Sequence, residues 1–180
     1  MVEGDLPTWH EVTPMRVTRK AAALGAATAL LAGGLLAGSP AAAAPVAACT
    51  GDQFSATGAD RTDSGRVRFT VVNDGPTCRL QGFPTVALSG QGSPDRNAPL
   101  RVVPRGEARP VVLSQGASAS TVLTFTPVLG EADGYCASGA EPTTAPSLVV
   151  GIAGMGFQVA PSDGGRFALC GNTVRATAFR

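Results

Sequence analysis

Glycine and proline interrupt this chain every few residues beyond about position 44, with 23 glycines and 14 prolines in 180 residues. Such punctuation leaves no stretch long enough for a sustained helix and confines regular structure to short runs. Those runs alternate. In residues 66–72 (RVRFTVV), Val67, Phe69 and Val71 fall on one side while Arg66, Arg68 and Thr70 face the other, the pattern of a half-buried strand. Residues 73–76 (NDGP) read as a turn, because Asn and Asp bond back to the local backbone, Gly accepts positive φ and Pro ends the ladder. Cys78 and Leu80 restart the alternation, residues 82–84 (GFP) bend the strand, and Val86 and Leu88 complete it. Residues 111–126 (VVLSQGASASTVLTFT) read as two strands around Gln115-Gly116, the second with Ala119, Thr121, Leu123 and Phe125 on one face. Leu148, Val150 and Ile152, then Phe157 and Val159, then Phe167 and Leu169, and finally residues 173–179 supply the rest. Seven to eight short strands at this spacing predict an all-β fold, an antiparallel β-sandwich with an immunoglobulin-like arrangement.

The amino terminus decides which residues belong to that fold. Arg16, Arg19 and Lys20 precede an apolar run, residues 21–38, and then small residues, SPAAAAP, which is the layout of a secretory signal peptide. Cleavage after Ala43 places alanines at 41 and 43 and starts the mature chain at Ala44. Residues 1–14 carry three acids and no base, a poor prelude to a signal, so they read as an upstream extension with the signal peptide at 15–43. The competing reading of 21–38 is a retained membrane anchor, since the run is about long enough to cross a bilayer. The region 44–180 is then a single exported domain of ordinary size.

All four cysteines, Cys49, Cys78, Cys136 and Cys170, follow the leader. An even count in an exported chain predicts two disulfides, although four cysteines allow three connectivities. Order along the chain favours Cys49 with Cys78 and Cys136 with Cys170. A link from Cys49 to Cys136 or Cys170 would instead carry the first cysteine to the far half of the sandwich. Residues 46–49 (VAAC) also have the shape of a lipobox, so lipid anchoring through Cys49 is an alternative. Against it, residues 39–48 separate the apolar run from Cys49, and lipidation would leave one thiol unpaired. None of the spacings is C-x-x-C, which removes the zinc-ribbon and thioredoxin-like readings.

Composition excludes most catalysis. The one histidine, His10, the one tryptophan, Trp9, and the one lysine, Lys20, all precede the cleavage point. Imidazole base catalysis, Schiff-base chemistry, Ser-Lys pairs and His-ligated metals are thereby unavailable in residues 44–180. No G-x-S-x-G is present, and a paired-carboxylate glycosidase needs two acids held across a cleft that short strands and small loops leave little room for. The expectation is a protein that is not an enzyme, with no cofactor; a small secreted hydrolase is a second alternative. The formal charge of +1 points to no nucleic acid.

Two clusters merit weighing. Arg96, Arg101, Arg105 and Arg109 run through a Pro- and Gly-rich segment and could form an anion-binding strip. The ordinary reading is a solvated loop, or an edge strand whose charges discourage edge-to-edge pairing. Glu131 and Asp133, with Glu141 downstream, offer oxygen ligands for calcium, but without the ligand number and spacing of a competent loop. No metal is expected.

The cysteine opening CTGDQFSATG, the strand end VVNDGPTC, the following RLQGFPTVAL and the later VVLSQGASAS together resemble a family of secreted actinobacterial proteins, a domain of unknown function of the DUF4232 type. Its most recognisable stretch is T-C-x-L-x-G-[YF]-P, here residues 77–84. The resemblance runs from about Cys49 to the carboxy terminus. It implies an exported, disulfide-bonded β-sandwich, free or attached to the cell envelope, and carries no catalytic residue with it. Members often bear a conspicuous lipobox separate from the first domain cysteine; this chain lacks one, which favours a soluble product. The segment after Tyr135-Cys136 is also irregular against the pattern. The expected function is a secreted, non-catalytic binding or interaction module at or outside the cell envelope, its partner an envelope component or extracellular protein, with no integral membrane segment after cleavage.

Overall fold

The computed structural model describes residues 44–63, 65–90, 92–130 and 134–180. The upstream extension, the signal peptide and its cleavage, together with Glu131 and Asp133, lie outside the described residues.

A single 3-10 turn, Gly51–Gln53, precedes strands β1 (Phe54–Asp63), β2 (Arg66–Asn73), β3 (Cys78–Leu80) and β4 (Thr85–Ser89). Then come β5 (Asn97–Pro99), β6 (Arg101–Arg105), β7 (Val111–Leu113) and β8 (Ser118–Phe125). The chain ends with β9 (Thr143–Ala145), β10 (Ser147–Ile152), β11 (Met155–Val159), β12 (Phe167–Leu169) and β13 (Thr173–Thr177). Five strands form one sheet in the order β1-β2-β8-β13-β6, four form another in the order β11-β10-β4-β5, and β12-β9 and β3-β7 are two-stranded ribbons. The fold is all-β and its pairs are antiparallel except β13 with β6, which run parallel. This arrangement is compatible with the immunoglobulin-like sandwich expected.

The alternation in residues 66–72 sets the core. Val67, Phe69 and Val71 are buried on β2, facing inward with Leu123 and Phe125 of β8 and Val174 and Ala176 of β13. Val86 and Leu88 of β4 and Leu148, Val150 and Ile152 of β10 join the same apolar cluster from the second sheet. Phe69 bridges the layers, its ring 6.5 Å from that of Phe157 on β11 and 6.5 Å from that of Phe179. Two inner faces interleaved in this way are what makes alternating strands a sandwich.

Strands are more numerous than the seven or eight expected because residues 78–88 divide into two and because β1, β5, β6 and β9 form where no strand was expected. Residues 78–88 are not one bent strand: β3 pairs with β7, β4 pairs with β10, and Gly82 lies at the transfer between sheets with φ 123°. Likewise β7 and β8 flank Gln115-Gly116 but do not pair with each other, since β8 lies between β2 and β13. The disulfides join Cys49 to Cys78 and Cys136 to Cys170, across 29 and 34 residues. Beside the first, the Cys49 N–H donates to the Arg79 carbonyl at 3.1 Å and the Arg79 N–H to the Ala47 carbonyl at 2.7 Å, so the opening segment lies along β3 as a short parallel bridge.

Candidate anion-binding face

Because one face of the five-stranded sheet is buried, the period of two sends every other residue to the opposite face. On β2 these are Arg66, Arg68 and Thr70; on β8, Ser120, Val122 and Thr124; on β13, Arg175 and Thr177; on β6, Arg101, Val103 and Arg105. Register aligns them in rows. Arg68 stands opposite Val122, the Val122 N–H donates to Thr177 Oγ1 at 2.9 Å, and Thr177 lies beside Arg105. In the next row Arg66 faces Thr124, Thr124 faces Arg175 and Arg175 lies beside Val103. Beyond β13 the chain slips by one residue against β8. Arg180 and Ser120 then exchange both backbone hydrogen bonds, at 2.9 and 3.1 Å, which keeps Arg180 with the outward set.

Arginines therefore rise from β2 on one side and from β6 and the end of β13 on the other, with Val122, Thr124 and Thr177 between them. Arg66, Arg68, Arg105 and Arg180 line one shallow depression of about 370 Å³ over that floor. Asp63 also lines it and pairs with Arg66 at 3.2 Å, while Asp60 stands opposite Arg68 on β1. Among the described residues, Arg68, Arg101, Arg105, Arg175 and Arg180 make no ion pair.

The predicted strip of four arginines is divided by this fold. Arg101 and Arg105 are four apart on β6 and share the outward face, as the anion-binding reading requires. Arg109 lies past the strand and pairs with Glu107 at 3.3 Å in full solvent. Arg96 sits in the loop before β5 and borders a different hollow with Asp95 and Thr143, at the second sheet. Of the strip only Arg105 lines the depression, which Arg66, Arg68 and Arg180 surround from strands distant in sequence, while Arg101 and Arg175 stand elsewhere on the same outward face. The outward register of Arg66 and Arg68 was readable from alternation; their neighbourhood with β6 was not, because it depends on strand order. Of the calcium candidates, Glu141 is exposed, and no group of three His, Cys, Asp or Glu side chains gathers among the described residues.

A family model described as "Domain of unknown function (DUF4232)" matches residues 49–180. The chain belongs to this family. No curated protein matches it, and no solved structure does. The matched span starts at Cys49 and contains both disulfides and every strand of the five-stranded sheet, so the arginine face belongs entirely to the DUF4232 domain.

A second hollow of this DUF4232 domain, about 420 Å³, opens at the end of β1 and β2 against Phe125, Pro127 and Phe167. Its Arg61 is committed to structure: the guanidinium pairs with Asp163 at 3.2 Å, donates to the Arg166 carbonyl and stands 6.0 Å over the Phe167 ring. That contrast separates a bracing arginine from the arginines of the outer face. Among the described residues no helix is long and apolar enough to cross a membrane.

Proposed function

We propose that this chain is an exported, non-catalytic binding module that engages an anionic component at or outside the cell envelope through the outer face of its five-stranded sheet. The observation that carries the reading is the gathering of arginines from β2, β6 and the β13 end around one hydroxyl-bearing floor. Guanidiniums gathered around one depression repel one another, and a bound anion relieves that repulsion while gaining charge-assisted hydrogen bonds. Export is supported by the basic, apolar and small-residue order of residues 16–43 and by two disulfides, which persist in oxidising compartments. The non-catalytic part rests on composition, since residues 44–180 hold neither histidine nor lysine. A lipid-anchored form through Cys49 competes for a sulfur that the bond to Cys78 already occupies.

Co-sedimentation with purified envelope material tests the proposal. The wild-type chain is expected in the pellet at low salt and in the supernatant at high salt, because exposed charge pairs are screened. Arg68→Glu with Arg105→Glu should abolish pelleting, whereas Arg109→Glu should not. Equal pelleting of the wild type and the double reversal would refute the face.

A further inference from the structure

We propose that the occupant of this face is a phosphate-linked polyol or glycan chain, lying along β8 between the arginines of β2 and those of β6 and the β13 end. The inference rests on the reading of the face as a binding surface and adds the chemistry of its ligand.

Three observations select that chemistry. First, the charged side chains lining the depression are four guanidiniums and one carboxylate, Asp63, which lies against Arg66; Asp60 stands opposite Arg68, and among the described residues Arg105 and Arg180 make no ion pair. A single carboxylate engages one guanidinium, as the contact between Asp63 and Arg66 at 3.2 Å illustrates, so the surplus calls for a ligand that repeats its charge. Second, Arg68 and Arg105 bracket the depression across three strand spacings, roughly 14 Å between strand axes. Cations on both sides of an open trough suit an extended chain whose phosphate oxygens project to either side; a compact anion would reach one side only. Third, the large exposed apolar side chains, Val46, Val112, Leu129, Tyr135 and Met155, all lie off β2, β8, β13 and β6. A protein partner is ordinarily anchored by buried aromatic or aliphatic side chains, and single-stranded nucleic acid by base stacking on aromatic rings. This face offers neither. What it offers between the charges is Thr124 and Thr177, hydroxyl-bearing side chains that match flexible, hydroxylated linkers between phosphates.

Poly(glycerol phosphate) is the probe, titrated into the full chain with both disulfides formed. Binding is expected to weaken about tenfold or more in the Arg68→Glu, Arg105→Glu double variant and to be unchanged in Arg109→Glu. Both reversed side chains are exposed, so the variants should stay folded, with at most a small fall in melting temperature from the new carboxylate at position 68 facing Asp60; the melting temperature is measured alongside. Polygalacturonate, polyglutamate and duplex DNA at matched charge concentration are expected to bind at least several-fold more weakly. Polygalacturonate or polyglutamate binding as tightly would overturn the phosphate assignment, and tighter binding of duplex DNA would replace the polyol with a nucleic acid. Poly(glycerol phosphate) binding that ignores the double reversal overturns the site. If poly(glycerol phosphate) fails to bind while envelope pelleting still depends on Arg68 and Arg105, the ligand class falls and the binding face stands. If pelleting is also indifferent to those arginines, both fall.

Discussion

Asn73 shows how one side chain ties the fold together. It is fully buried at the end of β2. Its Nδ2 donates to the carbonyls of Leu113 and Pro76 at 3.0 Å each and approaches that of Ser114 at 3.3 Å, while its Oδ1 accepts the Gly75 N–H at 3.1 Å. Its backbone N–H and carbonyl bond to Ala117 and Gly116 at 2.9 and 2.7 Å. The turn role of Asn73 was legible in NDGP, but its reach across 40 residues to Leu113 was not, because nothing local encodes a long-range acceptor. Asn73→Ala leaves several buried polar groups without partners and should cost about 2–3 kcal/mol, read from the shift of the urea midpoint at constant m-value. Asp74→Ala, at an exposed neighbour in the same turn, should stay within about 0.5 kcal/mol of wild type. Equal effects of the two would contradict the role assigned to Asn73.

Among the elements, the strands that sequence missed are those whose periodicity is broken. In β1 the register shifts between Ala56 and Gly58, so the buried positions Phe54 and Ala59 fall on opposite phases of a strict alternation. A bulge of that kind erases the period-two signal without ending the strand. β5 and β6 contain Pro99 and Pro104 and resemble loop; both lie at sheet edges, where a missing N–H is tolerated. Strand order was equally hidden, which is why Arg105 could be placed in the sequence beside Arg101 but not beside Arg66, Arg68 and Arg180. Two glycines give contrasting tests. A Cβ on Gly151, in β10 opposite Thr85, would sit 2.1 Å from Thr85 Oγ1, so Gly151→Ala should cost about 1–3 kcal/mol and be partly rescued by Thr85→Ala. Gly82 has open space around it but a φ of 123°, so Gly82→Ala should cost about 1–3 kcal/mol from backbone strain alone. Thermal unfolding of the four variants checks both, and rescue of Gly82→Ala by Thr85→Ala would contradict the distinction.

For the whole molecule, the two disulfides close loops that enclose β1 and β2 and β9 to β12 respectively, with Cα atoms 4.9 and 5.6 Å apart. In the chain-entropy description each contributes about 3–4 kcal/mol, a large share of a typical total of about 5–15 kcal/mol. Cys49→Ser with Cys78→Ser should therefore lower the melting temperature by roughly 10–20 °C while leaving the far bond intact, as non-reducing peptide mapping would register. Chain order already favoured this pairing, since Cys78 follows the strongest strand and Cys49 opens the domain. The same disulfide-bonded scaffold holds strands β2, β8, β13 and β6 in the order that brings their arginines together. The most direct test of that arrangement is amide chemical-shift mapping of the oxidised chain during titration with solubilised envelope polymer. Perturbations are expected along residues 66–70, 120–124, 101–105 and 175–180, with residues 147–159 of the other sheet unmoved. Shifts concentrated instead on residues 147–159 or around Tyr135, with the arginine strands silent, would contradict the assignment of the binding face.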